Sequence, residues 1–407
     1  MGHAATGTPD QTEPRARRVV LYSHDTFGLG HLRRSRALAS ALTQSGTVSS
    51  AIILTGSPVA GRFTFPHAVD HVRLPGVKKL ADGSYVSQTS GMDIEATTAL
   101  RAGLIASTVA QYDPDLLIVD KEPTGFRGEL LPTLEHLSRT GRTRIVLGLR
   151  DVLDEAEVLA TEWARKGAIE ATEDFYDELW VYGVRSVYDP TQGLPLSDAV
   201  RNRTVWTGYL RRAIIDPADV PETPYILVTP GGGGDGEAMV DLVLQAYEQD
   251  PDLSPHAVLV YGPFLSGDTR DGFEARVAAL NGRVTATGFD SRIEALFAGA
   301  QGVICMGGYN TFCELLSFDQ RAVIVPRTKP RLEQWIRANR AEELGLVRNL
   351  DQFRDGLTPA SMVAAIRALP HQNRPSDAGA DGLLDGLDVV NARAAALMDD
   401  TLSDAAE

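Results

Sequence analysis

Short runs of consecutive apolar residues punctuate this chain, and several are closed by glycine or an acid and followed by apolar positions at helical spacing. The first, Val19-Val20-Leu21-Tyr22-Ser23, leads to Phe27-Gly28-Leu29-Gly30-His31, after which Leu32, Ser35, Leu38, Ala39 and Leu42 recur with a helical period. The predicted unit is strand, glycine loop, helix. The alternation continues through Ala51-Ile52-Ile53-Leu54, a helix from Met92 to Gln111, Leu116-Leu117-Ile118-Val119-Asp120, a helix near Glu129 to Arg139, and Arg144-Ile145-Val146-Leu147-Gly148. Strands that are apolar at every position are buried on both faces, which indicates parallel βαβ units. Leu179-Trp180-Val181-Tyr182 and Thr204-Val205-Trp206 complete this half.

Between Thr207 and Pro224 the pattern breaks into Gly208, two arginines and three prolines, the best domain boundary in the chain. A second series then begins: Tyr225-Ile226-Leu227-Val228-Thr229, the run Gly231-Gly232-Gly233-Gly234, a helix from Asp235 to Gln249, and strands Ala257 to Tyr261 and Val284 to Thr287. After a loop from Pro370 to Gly386 a last helix is predicted around Val389 to Leu397. The expected fold is α/β, with two Rossmann-like doubly wound domains facing a cleft at the carboxyl ends of both sheets. The first domain spans 18–210, a linker 211–224, the second domain 225–385, and a terminal helix and tail 386–407. Residues 1–17 are small and polar, without an apolar core segment, and read as a disordered lead-in.

Composition narrows the function. At 407 residues with 43% apolar content the chain can bury two ordinary cores. A net charge of −15 argues against nucleic acid as a partner. That charge is uneven: 24 Lys and Arg face 25 Asp and Glu through residue 215, whereas 15 face 29 beyond it. The first half is thus better suited to an anionic or membrane-borne acceptor. Cys305 and Cys313 have no CxxC partner or His cluster, so neither a zinc site nor a disulfide framework is implied. No apolar run is long enough to span a membrane. Cytoplasmic residence is the expectation, with at most peripheral contact at the inner membrane face.

The most informative stretch runs from Gly288 to Asn339. It reads Gly288-Phe289-Asp290, a short helix, the strand Gly302-Val303-Ile304-Cys305 into Met306-Gly307-Gly308-Tyr309-Asn310-Thr311-Phe312-Cys313-Glu314, the strand Ala322 to Pro326, then Glu333-Gln334 and Ala338-Asn339. An apolar strand running into a double glycine that opens a helix aims backbone N–H groups and a positive helix end at one place, which makes an anion site. Glu314, six residues after Gly308, can meet a ribose edge while the helix terminus holds phosphate. The combination points to a nucleoside diphosphate.

This order of parts resembles the nucleotide-sugar half of GT-B glycosyltransferases of the MurG type, and Gly28-x-Gly30-His31-x-x-Arg34 resembles bacterial glycosyltransferases with the same pattern near the start. The resemblance implies that Glu314 binds ribose hydroxyls, that Gly307 and Gly308, with Asn310 and Thr311, meet the diphosphate, and that Gln334 contacts the donor sugar. The family often has His-Gln where this chain has Glu333-Gln334. Gly231 to Gly234 can bring bare backbone to a phosphate, although the family's Gly-Gly-Ser-x-Gly supplies a hydroxyl that Gly233 lacks. Phe289 is either the residue beside the base or a core phenylalanine. Arg211, or its neighbour Arg212, falls where the family has an arginine reaching the diphosphate, or is a solvated linker arginine.

In the first domain His31 is the candidate general base: the helix N-terminus favours the neutral imidazole, while a capping role is the alternative. Asp120, Glu122 and Asp25 are reserve bases or loop caps. Gly28, Gly30 and Arg34 form the expected acceptor or phosphate loop. Arg33 and Arg36 share a helix face that meets either an anionic acceptor or solvent. Arg150-Asp151 is a structural ion pair or an acceptor contact.

The function implied is a metal-independent, inverting glycosyltransferase taking a sugar from a nucleoside-diphosphate sugar, UDP by family likeness, to a hydroxyl-bearing acceptor left open between a lipid-linked one, a polysaccharide precursor and a natural-product scaffold. No cofactor or metal is expected. An epimerase of the same fold, and a catalytically silent nucleotide-sugar-binding scaffold, remain alternatives.

Overall fold

The computed structural model describes residues 16–24, 29–80, 84–88, 91–214, 220–232 and 234–404. Gly28, Asp25 and Gly233, and most of the lead-in, therefore lie outside the described residues.

The first sheet contains β1 (Arg18–Ser23), β2 (Ser50–Thr55) and β3 (Val69–Arg73). A hairpin of β4 (Val77–Lys79) and β5 (Tyr85–Ser87) stands apart from it. β6 (Leu116–Asp120), β7 (Arg144–Arg150), β8 (Glu178–Tyr182) and β9 (Thr204–Trp206) complete the sheet in the order β3-β2-β1-β6-β7-β8-β9, with every pair parallel. β6 and β8 are buried at every position, as their unbroken apolar runs require.

The second sheet is built from β10 (Tyr225–Thr229), β11 (His256–Val260), β12 (Val284–Thr287), β13 (Gly302–Cys305), β14 (Ala322–Ile324) and β15 (Arg348–Asn349) in the order β12-β11-β10-β13-β14-β15, again all parallel. In each sheet the strand order reverses beside the first strand, between β1 and β6 and between β10 and β13. Loops leaving adjacent strands at such a point part company and leave a crevice at the carboxyl ends. Both crevices face the same cleft.

The terminal helix Gly386–Asp404 is longer than its apolar pattern predicts and packs back on the first domain. Ser45 Oγ donates to Asn391 Oδ1 at 2.9 Å, and Arg393 pairs with Glu178. The chain enters and leaves the second domain along one seam: Gly208 has φ 88°, and Tyr209 N donates to Leu383 O at 2.7 Å. A Cβ on Gly208 would lie 3.1 Å from that same carbonyl oxygen, so a larger residue would be strained there by both φ and space. Helices Ala156–Arg165, Ala168–Phe175, Gly267–Ala279 and Pro359–Ala368 add to those predicted above.

Candidate active site

The cavity between the domains is lined on one side by Gly30, His31, Arg33, Arg34, Phe63 and Arg150, and on the other by the two glycine turns with Phe289, Glu314, Glu333 and Gln334. His31 opens the helix Gly30–Gln44 after β1, and Asp120 ends β6. Because β1 and β6 are neighbours at the reversal of strand order, these two residues from distant sequence meet: His31 Nδ1 lies 2.5 Å from Asp120 Oδ2. Arg34, one turn along the helix, clamps the same carboxylate, donating from Nε at 2.9 Å and from Nη2 at 2.6 and 2.7 Å.

Burial by itself raises the Asp120 carboxyl, but Arg34 and His31 outweigh it and hold it well below the usual carboxylate range. An ionised carboxylate only accepts, so Nδ1 of His31 carries the proton and Nε2 keeps its lone pair. Burial pushes His31 down to about 4 against the pull of Asp120, leaving a neutral imidazole at pH 7. Burial is the main cause, where the sequence pointed to the helix terminus.

This geometry corrects the reserve-base reading. Both oxygens of Asp120 are engaged by Arg34, so it positions His31. Glu122 sits with Lys121 Nζ at 3.1 Å and Lys166 Nζ at 2.8 Å, outside the cavity lining. Its carboxyl, which burial raises, is brought well below the usual range by those lysines and His24. It is an ion-pair partner. Lys121 has φ 73°, a strained conformation for a long side chain, directly after Asp120.

In the second domain the turn after β10 brings Gly231, Gly232 and Gly234 to the cavity, and the turn after β13 brings Gly308. Gly307, at φ 73°, lies behind it; its carbonyl accepts from Arg337 Nη1 at 2.9 Å. Gly262 has φ 89°, and a Cβ there would lie 2.4 Å from Gly231 O, so only glycine lets these backbones approach. Thr311 lines the same wall. Gln334 is buried with Oε1 accepting from Arg327 N at 3.1 Å, and Glu333 is paired with Arg327 Nη2 at 2.5 Å. Phe289 meets Phe63 of the first domain edge-on, with ring centroids 6.0 Å apart.

Several side chains expected to face ligand or solvent instead join the domains. Glu314 is 1% exposed and ion-paired with Arg33, which also reaches Glu294 at 2.8 Å. Burial lifts the Glu314 carboxyl to about 7, against Arg33. Arg36 is buried, donating to Thr64 O at 2.8 Å. The Arg33 and Arg36 face is therefore a packed one. Asn310 donates to Gly30 O at 3.0 Å and accepts from Arg212 at 2.7 Å. Arg211 is exposed and outside this cavity; its neighbour Arg212 is the buried one of the two, also outside the cavity lining and held by Asn310. Arg150 and Asp151 do not pair with each other: Asp151 binds Arg337 at 2.6 Å, both fully buried, and accepts from Tyr209 at 3.0 Å.

Residues 226–379 match the family model described as glycosyltransferase family 28 C-terminal domain. The second domain matches that family model, and the chain as a whole has the GT-B fold. The solved glycosyltransferase of kitacinnamycin shares 17% identity with it over 96% of this chain and 100% of that one, at a TM-score of 0.63. The calicheamicin glycosyltransferase CalG4 shares 18% over 96% and 99%, at 0.58. MurG of Acinetobacter baumannii shares 14% over 94% and 95%, at 0.52. No curated protein sequence matches. At these identities the structures establish the fold alone. Among the described residues no helix is long and apolar enough to cross a membrane, and no group of three or more His, Cys, Asp or Glu is placed to hold a metal ion.

Sequence reasoning missed Asp235, Arg327 and Tyr309 in the lining and the Asp151–Arg337 bond across the domains. Asp235 and Arg327 each follow an apolar strand by a few residues, the one signal that places them at the cleft.

Proposed function

We propose that this chain is a glycosyltransferase that transfers a sugar from a nucleoside-diphosphate sugar, with UDP preferred by family likeness, to a hydroxyl of an acceptor held by the first domain. The observation that carries the reading is that one cavity is lined both by His31, held by Asp120 and Arg34, and by two glycine turns that open helices at the end of the second sheet. The turns offer backbone N–H groups to the diphosphate. Glu314 faces the ribose once Arg33 shares or releases it, and Gln334 with Glu333 meets the sugar.

His31 takes the acceptor proton through Nε2 while the acceptor oxygen forms its bond to C1. The C1–O bond to the β-phosphate breaks, and both its electrons leave on the phosphate oxygen. A single displacement of this kind inverts the anomeric centre. Asp120 stabilises the imidazolium that forms and keeps the ring in place. Positive charge for the leaving group comes from arginine and N–H groups of the chain, so activity should survive EDTA.

The test is a thermal-shift panel of UDP, GDP, ADP, dTDP and their common sugars. A ligand that binds only the folded state raises its melting temperature. A selective rise with one base confirms the donor site; no rise at millimolar concentration removes it.

A further inference from the structure

Four arginines line the cavity, and three are spoken for. Arg33 is held by Glu314 and Glu294, Arg34 by Asp120, and Arg327 by Glu333 and by Asp235 at 2.8 Å. Arg150, the last residue of β7, differs: among the described residues its side chain has no hydrogen bond or ion pair, and its Nε is buried without a partner. Asp151, next in the chain, is consumed by Arg337.

Its position says what it waits for. Its charged neighbours Arg34 and Arg337 lie 5.4 and 5.9 Å from the ring of Tyr309, the first residue of the helix that opens at Gly308. Arg150 lines the same cavity as the helix terminus assigned above to the diphosphate, from the opposite domain. Burial pushes it down to about 10; Glu333 opposes that fall and the two arginines add to it. A guanidinium in this state is stabilised by an incoming anion, and its planar fork fits two oxygens of one phosphate.

We propose that Arg150 grips the β-phosphate of the nucleoside diphosphate and neutralises it as the bond to C1 breaks. The proposal rests on the donor reading above and gives to the first domain the role expected of Arg211, whose side chain is outside the cavity. The acceptor domain thus supplies a cation to the leaving group as well as the base, so chemistry requires both domains on one donor.

The experiment compares wild type, R150K and R150M by calorimetry with UDP and UMP, or with the diphosphate and monophosphate of whichever base the wild type selects, and records the melting temperature of each ligand-free protein. R150M should bind UDP about tenfold or more weakly, with UMP unchanged and R150K between. Its ligand-free melting temperature should equal or exceed that of wild type, because removing a half-buried cation that lacks a partner among the described residues relieves a cost. Equal losses for UDP and UMP, or unchanged UDP affinity with a lower melting temperature, would overturn the assignment in favour of a structural arginine. Loss of binding to UDP-glucuronate alone, with UDP and UDP-glucose unaffected, would overturn it in favour of a sugar-carboxylate contact. A wild type that binds no nucleoside diphosphate at all would remove the donor reading, and this proposal with it.

Discussion

The two walls of the cleft are made in different ways. The second domain presents backbone: glycine turns after β10 and β13, each a contiguous strand–turn–helix whose N–H groups need no side chain to bind phosphate. The first domain presents side chains held by other side chains, His31 by Asp120 and Asp120 by Arg34, drawn from elements 86 to 89 residues apart. Backbone sites tolerate a change of neighbour as long as the turn survives. Side-chain relays fail when any member is lost. The difference teaches that the donor wall is robust and generic, whereas the acceptor wall is where this chain specifies its chemistry.

The bond that joins the walls is the place to strain that contrast hardest. Asp151→Ala leaves Arg337 buried and uncompensated and should cost about 3–5 kcal/mol of stability. Urea denaturation reads this directly, and a loss under about 1 kcal/mol would show that the pair does not hold the walls together.

Next comes the relay itself. His31→Ala should slow transfer by about 10²-fold or more while leaving nucleotide affinity unchanged; a parallel loss of affinity would mean that His31 belongs to the donor wall. The wild-type rate should fall as pH drops through about 4, where His31 takes a proton, and the variant should lack that limb. Stability has the same sign. The folded value lies below the ordinary 6.5, so the unfolded chain binds more protons, and His31 withdraws its contribution as pH falls from about 6.5 to about 4. Denaturation midpoints of wild type and His31→Ala should converge over that window.

The donor wall should break through its backbone. Gly262→Ala forces a Cβ against Gly231 O in a positive-φ conformation, a strain on the order of 1–3 kcal/mol, and should weaken nucleotide binding without touching any ligand contact. Glu314→Gln is the mildest: calorimetry should show about tenfold weaker nucleotide binding from the lost charge on the ribose contact. Unchanged affinity would leave Glu314 as a partner of Arg33 only.

How much of this was legible differs between the walls. Gly307, Gly308 and Glu314 lie within one short segment, where an apolar strand running into a double glycine singled them out; Gln334 stood out only through the resemblance to MurG-type enzymes. His31 was legible as a residue but not its tautomer, because Asp120 reaches it only when β1 and β6 become neighbours. Arg33 and Arg36 read as facing either an anionic acceptor or solvent because a helix period cannot see the second domain or the Phe63 loop that covers it. Arg150 and Asp151 read as an ion pair or an acceptor contact; they do not pair, because successive residues at a strand end point to opposite sides.

By itself the sequence determined two parallel α/β units and the glycine turns that end their strands, since each follows from local pattern and backbone freedom. Tertiary structure alone decided which carboxylate serves which cation. Asp120 became the orienter of His31, Asp151 the partner of Arg337, and Arg150 the cavity arginine without a partner among the described residues. Charge pairing depends on distances of a few ångströms between distant elements, and only the strand order and the meeting of the two domains set those.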